Sequence, residues 1–174
     1  MGEQKVQEIE RILRVDHAGE YGAINIYTAQ LIIARILYKD IVPTLEEMII
    51  YERRHFETFN NLLISRSIRH CYALRLWAFG GFSLGLITAL IGRNAIWICT
   101  DSVETTVLDH LDGQLEFLHK HDSVAYEAAL SIKADEESHQ DFGHSHSTES
   151  LIYKPLFFTV QKSTELAIWL STKL

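Results

Sequence analysis

The chain is predicted to be all-α, a bundle of six helices. Three observations carry this. Apolar residues recur at three- and four-residue steps along most of its length. Only 2 prolines and 9 glycines punctuate 174 residues, too few for a turn-dense β fold. No stretch alternates apolar and polar residues in the manner of a half-buried strand. Hydrophobic residues at 47% supply a substantial core, and the length fits a single domain spanning 1–174.

The first helix is expected over about residues 4–38, on the spacing of Val6, Ile9 and Leu13 and then Ala23, Ile26, Tyr27, Gln30, Leu31 and Ala34. Gly19 and Gly22 interrupt it. Each costs about 1 kcal/mol against alanine in a helix interior, which suggests close packing or the approach of a ligand. Pro43 suits a first helical turn, so a second helix begins there and runs through Leu45, Met48, Ile49, Phe56, Phe59, Leu62 and Leu63. A third is expected from Ser67 to about Gly92, and a fourth from Asn94 to about Lys120. Asp122 and Ser123 are capping residues for a fifth that ends near Gly143, followed by a connector from His144 to Thr148. A sixth helix, rich in Leu156, Phe157, Phe158, Val160, Ile168, Trp169 and Leu170, closes the chain.

Composition excludes several functions. The net charge is 16 − 23 = −7, so a general nucleic-acid binder, which needs a basic face, is not expected. Cys71 and Cys99 are the only cysteines, too few for a disulfide framework or a Cys-rich zinc site. The opening residues MGEQKVQEIE contain neither the apolar run of a secretory signal nor the Arg- and Ser-rich composition of a transit peptide.

The chemistry lies in the carboxylates and histidines. Residues i and i+3 of a helix lie about 60° apart around the axis and about 4.5 Å along it. A Glu-x-x-His pair therefore aims a carboxylate and an imidazole at one point. The sequence has two such pairs inside expected helices, Glu52-Arg53-Arg54-His55 and Glu136-Glu137-Ser138-His139. Glu20 on the first helix and Glu104 on the fourth complete the arrangement, because Glu20 to Glu52 and Glu104 to Glu136 are both 32 residues. The same interval selects Glu136 over Glu137, which lies two residues before His139 and faces elsewhere. A single Glu-x-x-His is commonly a solvated face. Two of them, each preceded by a glutamate at the same interval, describe a pseudo-symmetric bundle that binds two metal ions. Four carboxylates neutralise two divalent cations, and the hard and borderline donors suit iron or manganese. Asp135, next to Glu136, is placed to receive the imidazole N–H of a ligand histidine across the bundle. The comparable residue before Glu52 is Tyr51, so this outer layer is not symmetric.

The run Ile12-Leu13-Arg14-Val15-Asp16-His17-Ala18-Gly19-Glu20-Tyr21-Gly22-Ala23, continued by Glu52-Arg53-Arg54-His55-Phe56, Val103-Glu104, Asp135-Glu136-Glu137-Ser138-His139 and Ala167-Ile168-Trp169-Leu170-Ser171, resembles the demethoxyubiquinone hydroxylases of ubiquinone biosynthesis over essentially the whole chain. The resemblance implies a ferritin-like four-helix bundle with two additional helices. It implies an O2-dependent di-iron monooxygenase that hydroxylates the ring of a polyprenyl methoxy-benzoquinol in the penultimate step of the pathway. It further implies two Fe ions, with Glu20 and Glu104 as terminal ligands, Glu52 and Glu136 bridging, and one histidine, His55 or His139, on each iron. NADH is implied as the electron source and a lipid-binding helper protein as a partner. The location implied is peripheral, on the matrix side of the mitochondrial inner membrane, or on the cytoplasmic membrane of a prokaryote. His110, six residues beyond Glu104, matches a family histidine near the active site and is the candidate catalytic residue. Leu111 departs from the tyrosine commoner there. The Glu-x-x-His pairs alone equally allow a ferritin-type ferroxidase or storage protein, which would form a large cage rather than a small homo-oligomer.

Other features leave two readings each. His17, three residues before Glu20, either points towards the site or bonds a neighbouring helix. His119, His121, His144 and His146 lie at helix ends and are expected to face solvent, and the cysteines to be packing residues. Residues 76–92 carry no charge. Seventeen residues is the short limit for a membrane span. The segment is either a buried core helix or one that dips an apolar surface into a single leaflet, with Trp77 and Trp97 near its ends.

Overall fold

A computed structural model describes residues 2–148 and 151–174. It contains six α-helices: α1 (Glu3–Leu37), α2 (Val42–Ser65), α3 (Leu74–Ile91), α4 (Arg93–His121), α5 (Ser123–His146) and α6 (Lys154–Ser171). Short 3₁₀ turns precede α2 and α6, and there is no strand among the described residues. Helices α1, α2, α4 and α5 form a four-helix bundle in which α1 packs on α2 and α4 on α5. The two remaining helices are outriggers, α3 along α1 and α6 along α4. The second half thus repeats the first, and corresponding glutamates are 104 − 20 = 136 − 52 = 84 residues apart. The arrangement is the ferritin-like bundle with two additional helices that the sequence leads one to expect.

The boundaries follow from local chemistry. Pro43 lies in the first turn of α2, where its missing N–H costs nothing. Asp122 caps α5 by accepting the Ala125 N–H at 3.0 Å, and Arg66 from the end of α2 pairs with the same carboxylate. Two expectations are corrected. The third helix begins at Leu74, not Ser67, because Ser67 adopts a left-handed φ of 56° and the following residues tuck Cys71 and Ala73 against Ala18. The fifth runs to His146 rather than Gly143. His144 reaches Asp101 at 3.2 Å and the His146 ring stacks on Phe142, which holds the extra turn in place. The following connector includes residues 149 and 150, which lie outside the described residues.

Two apolar layers fill the bundle. One contains Tyr27, Leu31, Leu45, Met48, Ile96 and Trp97. The other contains Ile12, Leu13, Phe59, Leu63, Leu111 and Ile132. On α1, α2 and α4 the donors Glu20, Glu52, His55 and Glu104 fall between these two sets, and on α5 Glu136 and His139 fall between Ile132 and Phe142, so the polar layer is enclosed at mid-height.

The close packing expected at the glycines of α1 is made by glycines of α3. A Cβ on Gly81 would collide with the carbonyl oxygen of Gly22, and one on Gly85 with that of Ile26. Gly19 and Gly22 themselves have open space where a Cβ would stand. α3 therefore lies backbone-to-backbone on α1. Its opposite face is exposed, with Phe79 at 72% and Leu90 at 62% accessible. The buried-core reading of this segment does not hold, since only Gly85, Thr88 and Ala89 of α3 are buried. By length and composition α3 could cross a membrane.

Candidate metal centre

The sequence places one of the six donors on α1 (Glu20), two on α2 (Glu52, His55), one on α4 (Glu104) and two on α5 (Glu136, His139). The fold brings them together. Glu20, Glu52, His55 and Glu136 offer ligand atoms within 4.8 Å of one another, and so do Glu52, Glu104, Glu136 and His139. All six are buried. Glu52 and Glu136 belong to both groups, so the two groups share an edge made of two carboxylates.

Chemically the donor set fits a pair of divalent cations. His55 Nδ1 lies 2.9 Å from Glu136 and 3.5 Å from Glu20. His139 Nδ1 lies 3.3 Å from Glu136 and 3.4 Å from Glu52. Yet His55 Nδ1, His139 Nδ1, Glu52 Oε1 and Glu136 Oε2 have no partner in hydrogen-bond geometry. Buried polar atoms are normally satisfied. Converging donors left without one another as hydrogen-bond partners are what a metal site requires.

The charges point the same way. Burial raises the Glu20, Glu52 and Glu104 carboxyls above their usual range, and the neighbouring carboxylates add to the effect. Glu136 is the exception. Burial pushes it up, but the adjacent His139 and His55 rings overcome this and bring it down to about 2. Burial likewise depresses the two rings, yet their carboxylate neighbours raise His55 to about 12 and His139 to about 9. Protons and cations would therefore compete for the same donor atoms.

Around this centre lies a second set of contacts. The far nitrogen of His55, Nε2, is 2.9 Å from Asp135, which also accepts from Arg54 at 2.5 Å. This is the cross-bundle contact that the position of Asp135 suggests. Asp135 accepts at Nε2, so it is Nδ1 that faces the centre. Tyr27 donates its phenol to Glu104 Oε1 at 2.6 Å, a contact not foreseen from the sequence. The available signal was its place seven residues beyond Glu20, on the same face of α1, but its acceptor belongs to another helix.

Several expected residues fall outside the centre. His110 does not join the six. Its Nε2 accepts from the Gln114 amide at 2.6 Å and lies 3.7 Å from Asp16. It faces a cavity of about 310 Å³ whose wall includes Arg11, Ile12 and Phe117. Burial and Arg11 lower its basicity. Asp16 is itself buried, which raises its carboxyl to about 7 against the opposing hydrogen bond from Gln114. His17 does not join the six donors and packs on the neighbouring helix α2. Its ring stacks on Phe56, centroids 4.3 Å apart, its nitrogens have no partner, and burial, reinforced by His70, lowers it to about 4. Cys71 and Cys99 are buried and unpaired.

A helical bundle with a carboxylate–histidine centre between apolar layers defines a metal-binding class rather than one lineage. The lineage comes from comparison with known proteins: the family described as "Ubiquinone biosynthesis protein COQ7" matches residues 7–171, and this chain belongs to it. It is similar to a protein of Dictyostelium discoideum named NADPH-dependent 3-demethoxyubiquinone 3-hydroxylase, mitochondrial, with 38% identity across 97% of this chain and 79% of that protein. The human protein of the same name is 34% identical across 95% of this chain and 78% of its own length. A Rhodospirillum rubrum protein named 3-demethoxyubiquinol 3-hydroxylase is 32% identical across 95% and 78%.

Proposed function

We propose that this chain hydroxylates the ring of a polyprenyl methoxy-benzoquinol, demethoxyubiquinol, as an O2-dependent di-iron monooxygenase of ubiquinone biosynthesis. The observation that supports it most is the pair of buried donor groups that share Glu52 and Glu136, in a chain whose relatives are named hydroxylases. Glu20 and His55 would hold one iron, Glu104 and His139 the other, and Glu52 and Glu136 both. Two irons, when bound, would supply the reduction of dioxygen, one oxygen atom going to the ring and the other to water with two electrons from the donor. Electrons come from a nicotinamide nucleotide, which the resemblance gives as NADH and the relatives' names as NADPH.

The chain's own residues do the rest. Asp135 fixes the orientation of His55, and Arg54 holds Asp135 in place. The two apolar layers exclude water from the carboxylates. His110, with its neutral Nε2 at the cavity wall, can take up a proton there and exchange it with buried Asp16.

A substrate with a polyprenyl tail resides in lipid. The exposed apolar face of α3 would rest on one leaflet and hold the protein peripherally. For a mitochondrial chain this is the matrix side of the inner membrane. A lipid-binding helper protein would present substrate at the same face. The test is turnover of demethoxyubiquinol by the iron-loaded chain with a nicotinamide donor under ¹⁸O₂. The ring product should gain one labelled oxygen, and label from water instead would refute the monooxygenase reading.

A further inference from the structure

The repeat that relates the two halves makes their differences informative. Under the 84-residue shift His55 corresponds to His139, Glu20 to Glu104, Tyr51 to Asp135, and Tyr27 to Leu111. The inner six donors obey the symmetry and the outer residues break it twice. On one side Asp135 accepts from His55 Nε2 at 2.9 Å. On the other the corresponding Tyr51 offers His139 only the edge of a ring, centroids 5.5 Å apart, and among the described residues no carboxylate pairs with His139 through its far nitrogen. Conversely, Tyr27 donates to Glu104 at 2.6 Å, whereas the corresponding Leu111 is an apolar residue buried in the layer with Ile12 and Phe59.

Both breaks act in one direction. A carboxylate behind an imidazole raises its basicity and locks its orientation. A phenol that donates to a carboxylate oxygen withdraws charge from that ligand. The Glu20–His55 side therefore has the stronger donors and the Glu104–His139 side the weaker.

We infer that the two metal positions are unequal by construction: the one at Glu20 and His55, backed by Asp135, binds a divalent cation more tightly and fills first, and the one at Glu104 and His139 fills second. This rests on the two-metal reading above. It makes Asp135 a positioning residue for one metal only, and it implies that a chain short of iron carries a single ion at a known place.

The test is titration of the metal-free chain with Mn²⁺, following the free ion by its electron paramagnetic resonance signal. Two steps are expected, separated by tenfold or more. Asp135→Asn should weaken the first step 10- to 100-fold and leave the second within twofold. Tyr51→Asp, which gives His139 the carboxylate that it lacks, should tighten the second and narrow the gap. Tyr27→Phe should leave the first unchanged. Circular dichroism checks that each variant is folded, and a general loss of structure would shift both steps together. Two ions bound with indistinguishable affinity, or Asp135→Asn shifting both steps alike, would overturn the inference and leave the two-metal reading intact. A wild-type chain that binds no Mn²⁺ and no Fe²⁺ would overturn that reading itself.

Discussion

At the scale of the residue, the six donors are unequal in what their loss removes. Glu52 and Glu136 serve both donor groups, so Glu52→Ala or Glu136→Ala should cost both metals and all turnover. The wild-type chain should bind close to two irons and each variant well under one, by metal analysis after anaerobic loading; full iron in both variants would show the assignment to be wrong. Asp16 supplies a separate, metal-independent prediction. Its carboxyl is raised from 3.8 to about 7 by burial, so between these values the folded chain holds a proton that the unfolded chain has lost. Folding stability attributable to Asp16 is therefore complete below pH 3.8 and declines as pH rises through 7, by at most about 4 kcal/mol at 1.36 kcal/mol per unit. Asp16→Asn should flatten this slope. Its melting temperature relative to wild type should be higher at pH 8.5 than at pH 5, and parallel curves would refute the burial argument. The six donors were legible in the sequence because helical spacing fixes directions within one helix. Tyr27 to Glu104 was not, and neither was the Asp16–Gln114 hydrogen bond, since each joins residues from helices whose relative rotation no local pattern encodes.

At the scale of the element, α3 on α1 is the most constrained contact. A side chain at Gly85 would enter the Ile26 carbonyl, and the obstacle is backbone, which cannot swing aside. Gly85→Leu should therefore destabilise by about 1–3 kcal/mol, the usual range for overpacking. Gly80, one turn away with open space at its Cβ position, is the control. Gly80→Ala should stabilise by about 0.5–1 kcal/mol through helix propensity alone. Denaturant unfolding of both variants reads the contrast, and similar shifts in the two would contradict the seam. Helix identities were all visible in the periodicity. The late start of α3 was not, because the left-handed turn at Ser67 carries no glycine or proline to announce it. For the same reason the sequence pointed to the glycines of α1, when the packing depends on those of α3.

At the scale of the whole molecule, both outriggers, α3 and α6, carry exposed apolar side chains. The uncharged run in the sequence announced those of α3. Phe79 and Leu90 are the most exposed large apolar residues of α3, at 72% and 62%. Each such side chain buried in lipid contributes about 1.5–3 kcal/mol. Phe79→Glu with Leu90→Glu should release the protein from liposomes in co-sedimentation and reduce turnover of a long-chain quinol far more than of a short-chain analogue. Undiminished liposome binding would exclude this face as the lipid contact.

The glycine seam has a mechanical consequence. Helices that touch through their backbones at Gly22–Gly81 and Ile26–Gly85 leave no side chain between them at those two points, so a shift of α3 against α1 meets backbone there. Glu20 lies two residues from one of these rivets. A displacement of α3 at this seam is therefore met by the α1 backbone close to Glu20.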